Sequence, residues 1–468
     1  MQLALSITQD ESSRAITLVS NDDFDDWLAA SDARTKQWLA SVEFKAKANA
    51  HCLIPDDDAK IGRVIAVVDK IHQWSIAALP SALPSGHYHL DGRQLSTSEE
   101  AALGAGWVLA QYRFTQFKGE DSDSGEPRIL TLGEGAVAEA TRIAHATTLA
   151  RDLINTPTEA LSPLALSDVC RDVANECGAS IDVIVGDDLL VHRYPAVHVV
   201  GRAADRPSCL VDLRWGDESH PKVTLVGKGV CFDTGGLNLK PAGGMRLMKK
   251  DMGGAAHAIA LGQLIMQSSL PIRLRVLIPA VENAVSGNAY RPGDVINTRA
   301  GITVEVDNTD AEGRIILCDA LSAACEESPE LIVDFATLTG AARVALGPEV
   351  PAMFVNDDEV AAGIAYASAE CGDPVWRMPL HQDYRAMLDS NVGDMVNSAA
   401  SPFGGAITAA LYLERFIEHQ TPWVHFDLMA WNIRKRPGRP EGGEAMGLRA
   451  VFEYLKARYT EQTSTDAT

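Results

Sequence analysis

A chain of 468 residues is too long for one ordinary domain and points to two or three. With 46% hydrophobic and 22% charged residues it reads as a globular protein with a sizeable core, not as a disordered or fibrous one. The net charge of −22 argues against a nucleic-acid partner, because phosphates demand basic surface. Met1–Ala15 lacks the basic flank and apolar run of a leader, and no apolar run reaches membrane-spanning length, so no membrane association and a cytoplasmic location are expected.

Residues 1–134 are expected to form a smaller N-terminal α/β domain. Ala50–Ile54 and Ile61–Val68 contain strand-like apolar runs, and residues 98–112 set Ala101, Leu103, Val108, Leu109 and Tyr112 in a helical pattern. From Lys118 to Pro127 the chain is polar and contains glycine, which suits an exposed loop near a boundary. His87 and His89 could hold a metal, but Gly-His-Tyr-His reads better as a solvated turn. Residues 135–156 form a linker helix, Ala-rich and free of Gly and Pro over 136–154, that stops before Pro157. Across 157–468, helical segments alternate with β-branched runs at Ile181–Val185, Val223–Val226, Leu274–Ile278, Leu331–Phe335 and Val424–Leu428. That alternation predicts an α/β domain with a mixed, mostly parallel sheet covered by helices, where ligands gather beyond the carboxyl ends of the strands. The tail Gln462–Thr468 is polar and expected to be disordered. The eight cysteines are scattered without a C-x-x-C pair, as buried free thiols would be.

Within the larger domain, acidic residues border strand and helix ends. Residues 305–314, Glu-Val-Asp-Asn-Thr-Asp-Ala-Glu-Gly-Arg, follow the alternating Ile302, Val304 and Val306 and precede a helix-like run from Ile315 to Ala324. In an extended segment Asp310 and Glu312 would point the same way, and two carboxylates aimed at one point resist joint ionisation unless a cation lies between them. The alternative is a polar turn that caps the next helix. Residues 227–240 carry Lys228, Asp233 and Lys240 in a glycine-rich loop past the strand at Val223–Val226. That loop is no dinucleotide fingerprint, since Phe232 stands at the third glycine position, and it lacks the Gly-Lys-Ser/Thr of a phosphate loop. Asp251 precedes another helix-like run and could be only its N-cap. Together Asp233, Asp251, Asp310 and Glu312 carry a formal charge of about −4, which two divalent cations would neutralise. Oxygen ligands suit magnesium or manganese, and zinc accepts them too. No His-Glu-x-x-His is present, which excludes a single-zinc protease of that type.

The stretches NTDAEGR (308–314), VGKGVCFDTGG (226–236), Leu239-Lys240 and KKDMGGAA (249–256) resemble the leucine aminopeptidase (cytosol aminopeptidase) family of two-metal enzymes. ENAVSGNAYRPGD (282–294), DFATLTGA (334–341) and ARDLINTP (150–157) look like the same family, so the resemblance covers roughly residues 140–450 in several ordered motifs. It implies that 157–468 is a catalytic metallopeptidase domain that releases N-terminal residues by attack of metal-activated water on the amide. By the resemblance, Asp233 and Glu312 would bridge two ions of manganese or zinc; Lys228 and Asp251 would complete one ligand set and Asp310 the other. Lys228 would bind as a neutral amine, which requires a depressed pKa. Lys240 would polarise the scissile carbonyl, and Arg314 would hold a small anion, by analogy bicarbonate, that shuttles a proton. Substrate contacts would come from Lys228, Asp233, Asn238, Lys240, Met248, Asp251, Thr337 and Gly340, with plain core packing as the alternative for Met248 and Thr337. The implied substrates are peptides with a free N-terminus and an apolar, leucine-like first residue, and the implied assembly is a homohexamer. A non-enzymatic scaffold or DNA-binding relative is the competing reading; the net charge and intact ligand set count against it. The segment after Trp431 resembles the family only loosely.

Overall fold

The structure is a computed structural model that describes residues 4–119, 125–418 and 420–465. The chain divides into two compact units, one of residues up to Thr148 with Arg434–Pro440, the other of Leu149–Ile433 with residues from Glu441 onward.

The first unit is built on a six-stranded sheet in the order Leu5–Ser6, Arg128–Thr131, Gly86–Asp91, Arg14–Val19, Ile61–Val67, His51–Pro55. Neighbours pair parallel except for the antiparallel pair of His51–Pro55 with Ile61–Val67. Ile16, Val64, Ile65 and Val67 are sealed in the core, as expected of parallel strands covered on both faces. The helix Thr97–Leu109 starts at a capping box, in which Ser96 accepts from the Glu99 N–H and the Glu99 carboxylate accepts from the Ser96 N–H. His87 and His89 lie on the strand Gly86–Asp91 and not in a solvated turn; His89 Nδ1 is 3.0 Å from Ser13 Oγ. The loop expected at Lys118–Pro127 falls in part, at 120–124, outside the described residues. Arg434–Pro440, in the segment that resembled the family loosely, belongs to this unit, and the Arg439 guanidinium stacks 4.8 Å over the Trp74 ring.

The expected long helix spans Glu134–Asn155. The second unit holds a nine-stranded sheet whose main path runs Trp376–Arg377, Ala352–Val355, Trp423–Asp427, Leu331–Ala336, Lys222–Gly227, Arg273–Asn283, Cys209–Trp215, Ser180–Val185. Gly229–Asp233 pairs beside it with Arg273–Asn283. The four central strands pair parallel; Cys209–Trp215 and Ala352–Val355 pair antiparallel with them, and Ser180–Val185 pairs antiparallel with Cys209–Trp215. Each of the five runs expected as strands in this domain is one. Cys209–Trp215 escaped the sequence reading because Asp212 and Arg214 interrupt its apolar run; Asp212 is spent on Arg275, 2.7 Å away in the next strand. The helices Gly253–Gln267 and Glu312–Cys325 are sheathed almost all round, which explains apolar runs without a polar face. The helix Leu448–Thr465 continues through residues 462–465, where disorder was expected, while 466–468 lie outside the described residues. All eight cysteines are free, and five of them are buried. Among the described residues no helix is long and apolar enough to cross a membrane.

Candidate active site

Several chain segments converge at the carboxyl ends of the central strands. Lys228 follows Lys222–Gly227, Asp233 ends Gly229–Asp233, and Thr337 follows Leu331–Ala336. Asp251 sits on the 3-10 turn Met248–Met252, and the loop 306–311 delivers Asp310, then Glu312 and Arg314 in the first turn of the helix Glu312–Cys325. One carboxylate oxygen from each of Asp233, Asp310 and Glu312 lies within 4.8 Å of the others. Lys228 Nζ stands between Asp251 Oδ2 (2.7 Å) and Glu312 Oε1 (2.8 Å). Lys240 Nζ stands 2.8 Å from Asp233 Oδ2 and also pairs with Asp310 Oδ1. Six residues scattered over the 85 positions 228–312 thus form one linked cluster, with Arg314 on the same helical turn as Glu312.

Two local expectations change. Asp310 and Glu312 do not converge by alternation along an extended strand, since Thr303–Glu305 ends earlier and Glu312 is already helical. Neither is a helix cap: Ala311 occupies that position without a side-chain bond. Asp251 is no N-cap either, because Met252 precedes the helix Gly253–Gln267 and Asp251 is turned inward.

Backbone fit explains the glycines. A Cβ on Gly313 would lie 2.5 Å from Lys228 Cε, so only glycine lets the lysine pass beneath the helix start. Gly235, at φ +88°, would meet Asn238 O at 2.5 Å, which makes the tight turn between Asp233 and Lys240 glycine-specific. The turn is then fastened to the 306–311 loop. The Thr309 N–H donates to Asn238 Oδ1 at 2.8 Å, and the Asn238 N–H donates to Thr309 Oγ1 at 2.8 Å.

Charge is crowded here. Burial, then the nearby Asp251 carboxylate, push Asp233 up to about 6. Burial, then Asp233, push Glu312 up to about 8. Asp251 goes below its usual range: burial opposes this, but the Lys228 ammonium overrides it. Lys228 goes up and not down as expected for a neutral-amine ligand, because Asp251 and Glu312 outweigh its desolvation when no metal charge is beside it. Four carboxylates against two ammonium groups leave two negative charges uncompensated among the paired groups. Glu312 Oε2 is buried without a hydrogen-bond partner. A set of carboxylates with a surplus of negative charge and an orphaned carboxylate oxygen fits divalent cations.

The four remaining substrate-contact candidates divide. Thr337 is buried and its Oγ1 donates to Asp251 Oδ1 at 2.8 Å, while its carbonyl accepts from Lys228 Nζ at 3.1 Å, so it is neither plain packing nor a free pocket wall. Asn238 is exposed but spends its Oδ1 on Thr309. Met248 is half-buried on the turn that carries Asp251, and Gly340 is exposed at the start of the helix Gly340–Leu346. Three residues that the sequence reading assigned no role support the cluster: Asn283 donates to Asp233 Oδ1 at 2.8 Å, the Tyr290 hydroxyl donates to Thr309 O at 2.7 Å, and Asn397 accepts from the Asp307 N–H at 2.8 Å. Asn283 and Tyr290 fall inside the 282–294 motif, which was the available signal; Asn397 had none. A cavity of about 770 Å³ lined by Arg193, Arg299, Arg385 and Arg415 contains none of the cluster.

Residues 148–452 match the model of the cytosol aminopeptidase family, catalytic domain, and residues 15–126 match that of the M17 aminopeptidase N-terminal domain. A probable cytosol aminopeptidase of Syntrophotalea carbinolica is 39% identical over 376 residues, covering 77% of this chain and 75% of that protein. The crystal structure of a cytosol aminopeptidase from Coxiella burnetii superposes with a TM-score of 0.92 at 46% identity, covering 97% of this chain and 99% of that one. The bottromycin maturation enzyme BotP, solved in complex with Mn, superposes with a TM-score of 0.86 at 32% identity, covering 96% of this chain and all (100%) of that one. By fold, sequence and site chemistry, the chain belongs to the cytosol aminopeptidase family of metal-dependent peptidases.

Proposed function

We propose that the protein removes N-terminal, leucine-like residues from peptides using two divalent cations, manganese or zinc, held by Lys228, Asp233, Asp251, Asp310 and Glu312. The observation that carries this is the convergence of four carboxylates on two lysines, with one Glu312 oxygen left orphaned. When bound, such cations supply a water that ionises near neutral pH and a Lewis acid for the carbonyl. The chain does the rest. Asp233 and Glu312 would serve both ions. Lys228 would bind as a neutral amine, its proton released to solvent as cation charge takes the place of the ammonium between Asp251 and Glu312. Lys240, freed from Asp233 and Asp310, turns its ammonium to the oxyanion that forms as the amide carbon becomes tetrahedral. Arg314 holds a small anion, bicarbonate by analogy, that passes the proton from the attacking water to the leaving amine. Asn238, Met248 and Gly340 border the first side chain, Thr337 stands behind them through its bond to Asp251, and Met248 makes that border apolar. Discrimination there stays soft, since one methylene changes it by about 1–3 kcal/mol. A homohexamer in the cytoplasm completes the proposal, with two domains, 1–134 and 157–468, joined by a linker helix at 135–156.

The test uses the purified full chain. Leucyl amide is cleaved and its N-acetylated form is not; chelation abolishes cleavage; and metal analysis finds about two divalent ions per chain. Chelator-resistant turnover, or cleavage of the blocked substrate, would overturn the proposal.

A further inference from the structure

We propose that Asn397 is a positioning residue for the reaction, bracing the backbone at 307, 308 and 311 so that Arg314 keeps one pose. The inference rests on the catalytic reading of Arg314 given above. Asn397 is 0% exposed and lies just past the short strand Met395–Val396, which pairs parallel with Thr303–Glu305. Its side chain is committed to one loop. Oδ1 accepts from the Asp307 N–H (2.8 Å) and the Asn308 N–H (3.2 Å), and Nδ2 donates to Asn308 O (2.7 Å) and Ala311 O (3.5 Å). Its backbone continues the clamp: the N–H donates to Glu305 O at 2.9 Å, and the carbonyl accepts from Arg314 Nη1 at 2.8 Å. One residue therefore addresses the chain at 305, 307, 308, 311 and 314, on both sides of Asp310 and Glu312.

The chemistry explains why this residue type is needed. Only a primary amide offers both acceptor and donor at this reach; a carboxylate would set negative charge against Asn308 O, and an alanine would leave loop amides and carbonyls unpaired in a dry place. The guanidinium is a planar fork, and Asn397 O takes one tine of it at Nη1. Arg314 Nε is buried without a hydrogen-bond partner, so a donor remains for an anion. The base of the clamp is itself fixed, because Asp394 Oδ2 accepts from both the Thr303 N–H and Thr303 Oγ1 at 2.8 Å. A displacement on the order of 1 Å in such a group can cost about 100-fold in rate.

The experiment compares Asn397→Ala, Arg314→Ala and the double variant as full-length, metal-loaded proteins, reading kcat, KM, bound metal and melting temperature. Asn397→Ala is expected to lower kcat roughly 10–100-fold, with KM within about threefold and metal content unchanged. The double variant is expected to be no more than about twofold slower than Arg314→Ala, because both changes remove the same function. Parental kcat in Asn397→Ala, additive losses in the double variant, or a kcat loss that tracks metal loss would each overturn the inference. If Asn397→Ala does not fold, Asn397→Asp, which keeps the acceptor and removes the donor to Asn308 O, is judged by the same three results. Full activity in Arg314→Ala would overturn the catalytic reading and this inference with it, whereas an impaired Arg314→Ala beside a fully active Asn397→Ala would overturn only the inference.

Discussion

The two compact units both rest on largely parallel sheets, yet they treat charge in opposite ways. In the first, the buried polar side chains among the described residues are Thr17, Thr35, Gln73, Ser75 and Thr147, none of them charged. In the second, Lys228, Asp233, Asp251, Glu312 and Arg314 are buried together, and Arg151, Glu444, Asp319 and Asp427 are buried elsewhere. Removing an ion from water costs on the order of several kcal/mol unless a partner offsets it. Inside the second unit there is a further contrast. Arg151 meets Glu444 through two bonds of 3.0 Å, and Asn432 donates to the same carboxylate at 2.7 Å, which closes that group. The 228–314 cluster instead keeps more carboxylates than cations and drives two of them above their ordinary range. Satisfied buried charge is architecture, while crowded and under-compensated buried charge marks where chemistry is done.

The sharpest way to break this comparison is Glu312→Gln, which keeps the shape and removes the ability to ionise. Steady-state kinetics should show a loss of at least about 10³-fold in kcat/KM, while the metal-free protein melts no lower than the parent because a crowded carboxylate has gone. If melting temperature and activity fell together, Glu312 would belong with the architectural pairs.

A smaller effect is expected from pH. With Glu312 held up to about 8 and Asp233 to about 6, the metal-free site carries protons that the unfolded chain has already lost. The native state then binds more protons than the unfolded one, so the stability of the metal-free protein falls as pH rises from the ordinary carboxylate range towards 8. Cation binding must expel those protons, and the Lys228 proton with them, so affinity should climb by about tenfold per pH unit for each proton displaced. Calorimetric titration with manganese in buffers of different ionisation enthalpy measures the protons released; zero release between pH 6 and 8 would contradict the crowding.

The least effect on turnover should come from the uncharged core of the first unit. Ile16 is fully buried there, and Ile16→Ala should cost about 2–5 kcal/mol of stability in denaturant unfolding. The folded fraction should keep its kcat/KM. A change in kcat at full occupancy of the native state would mean that this sheet takes part in the chemistry.

How much was legible in the sequence follows the same division. Strands such as Ile61–Val67 and Leu331–Ala336 could be read because β-branched runs bounded by turns admit few other structures. The acidic residues stood out because carboxylates beside apolar strand ends are costly and need a reason. Strand Cys209–Trp215 was not legible, since its Asp212 looks like a loop residue until Arg275 is found opposite it. The helical start at Glu312 was equally hidden: no side chain caps it, and its approach to Lys228 depends on Gly313 lacking a Cβ.

By itself, the sequence determined the membership of the charged cluster, the α/β class and the family motifs, because these depend on residue type and short-range order. Only the tertiary structure decided that Asn238 and Thr337 are tied to Thr309 and Asp251. It alone decided that Lys228 is held charged between Asp251 and Glu312 when no cation is present. It alone brought Asn397 to Arg314 from 83 positions away. An asparagine is ordinary wherever it occurs; what makes this one matter is the set of backbone amides and carbonyls it meets once buried, and those partners are chosen by the fold.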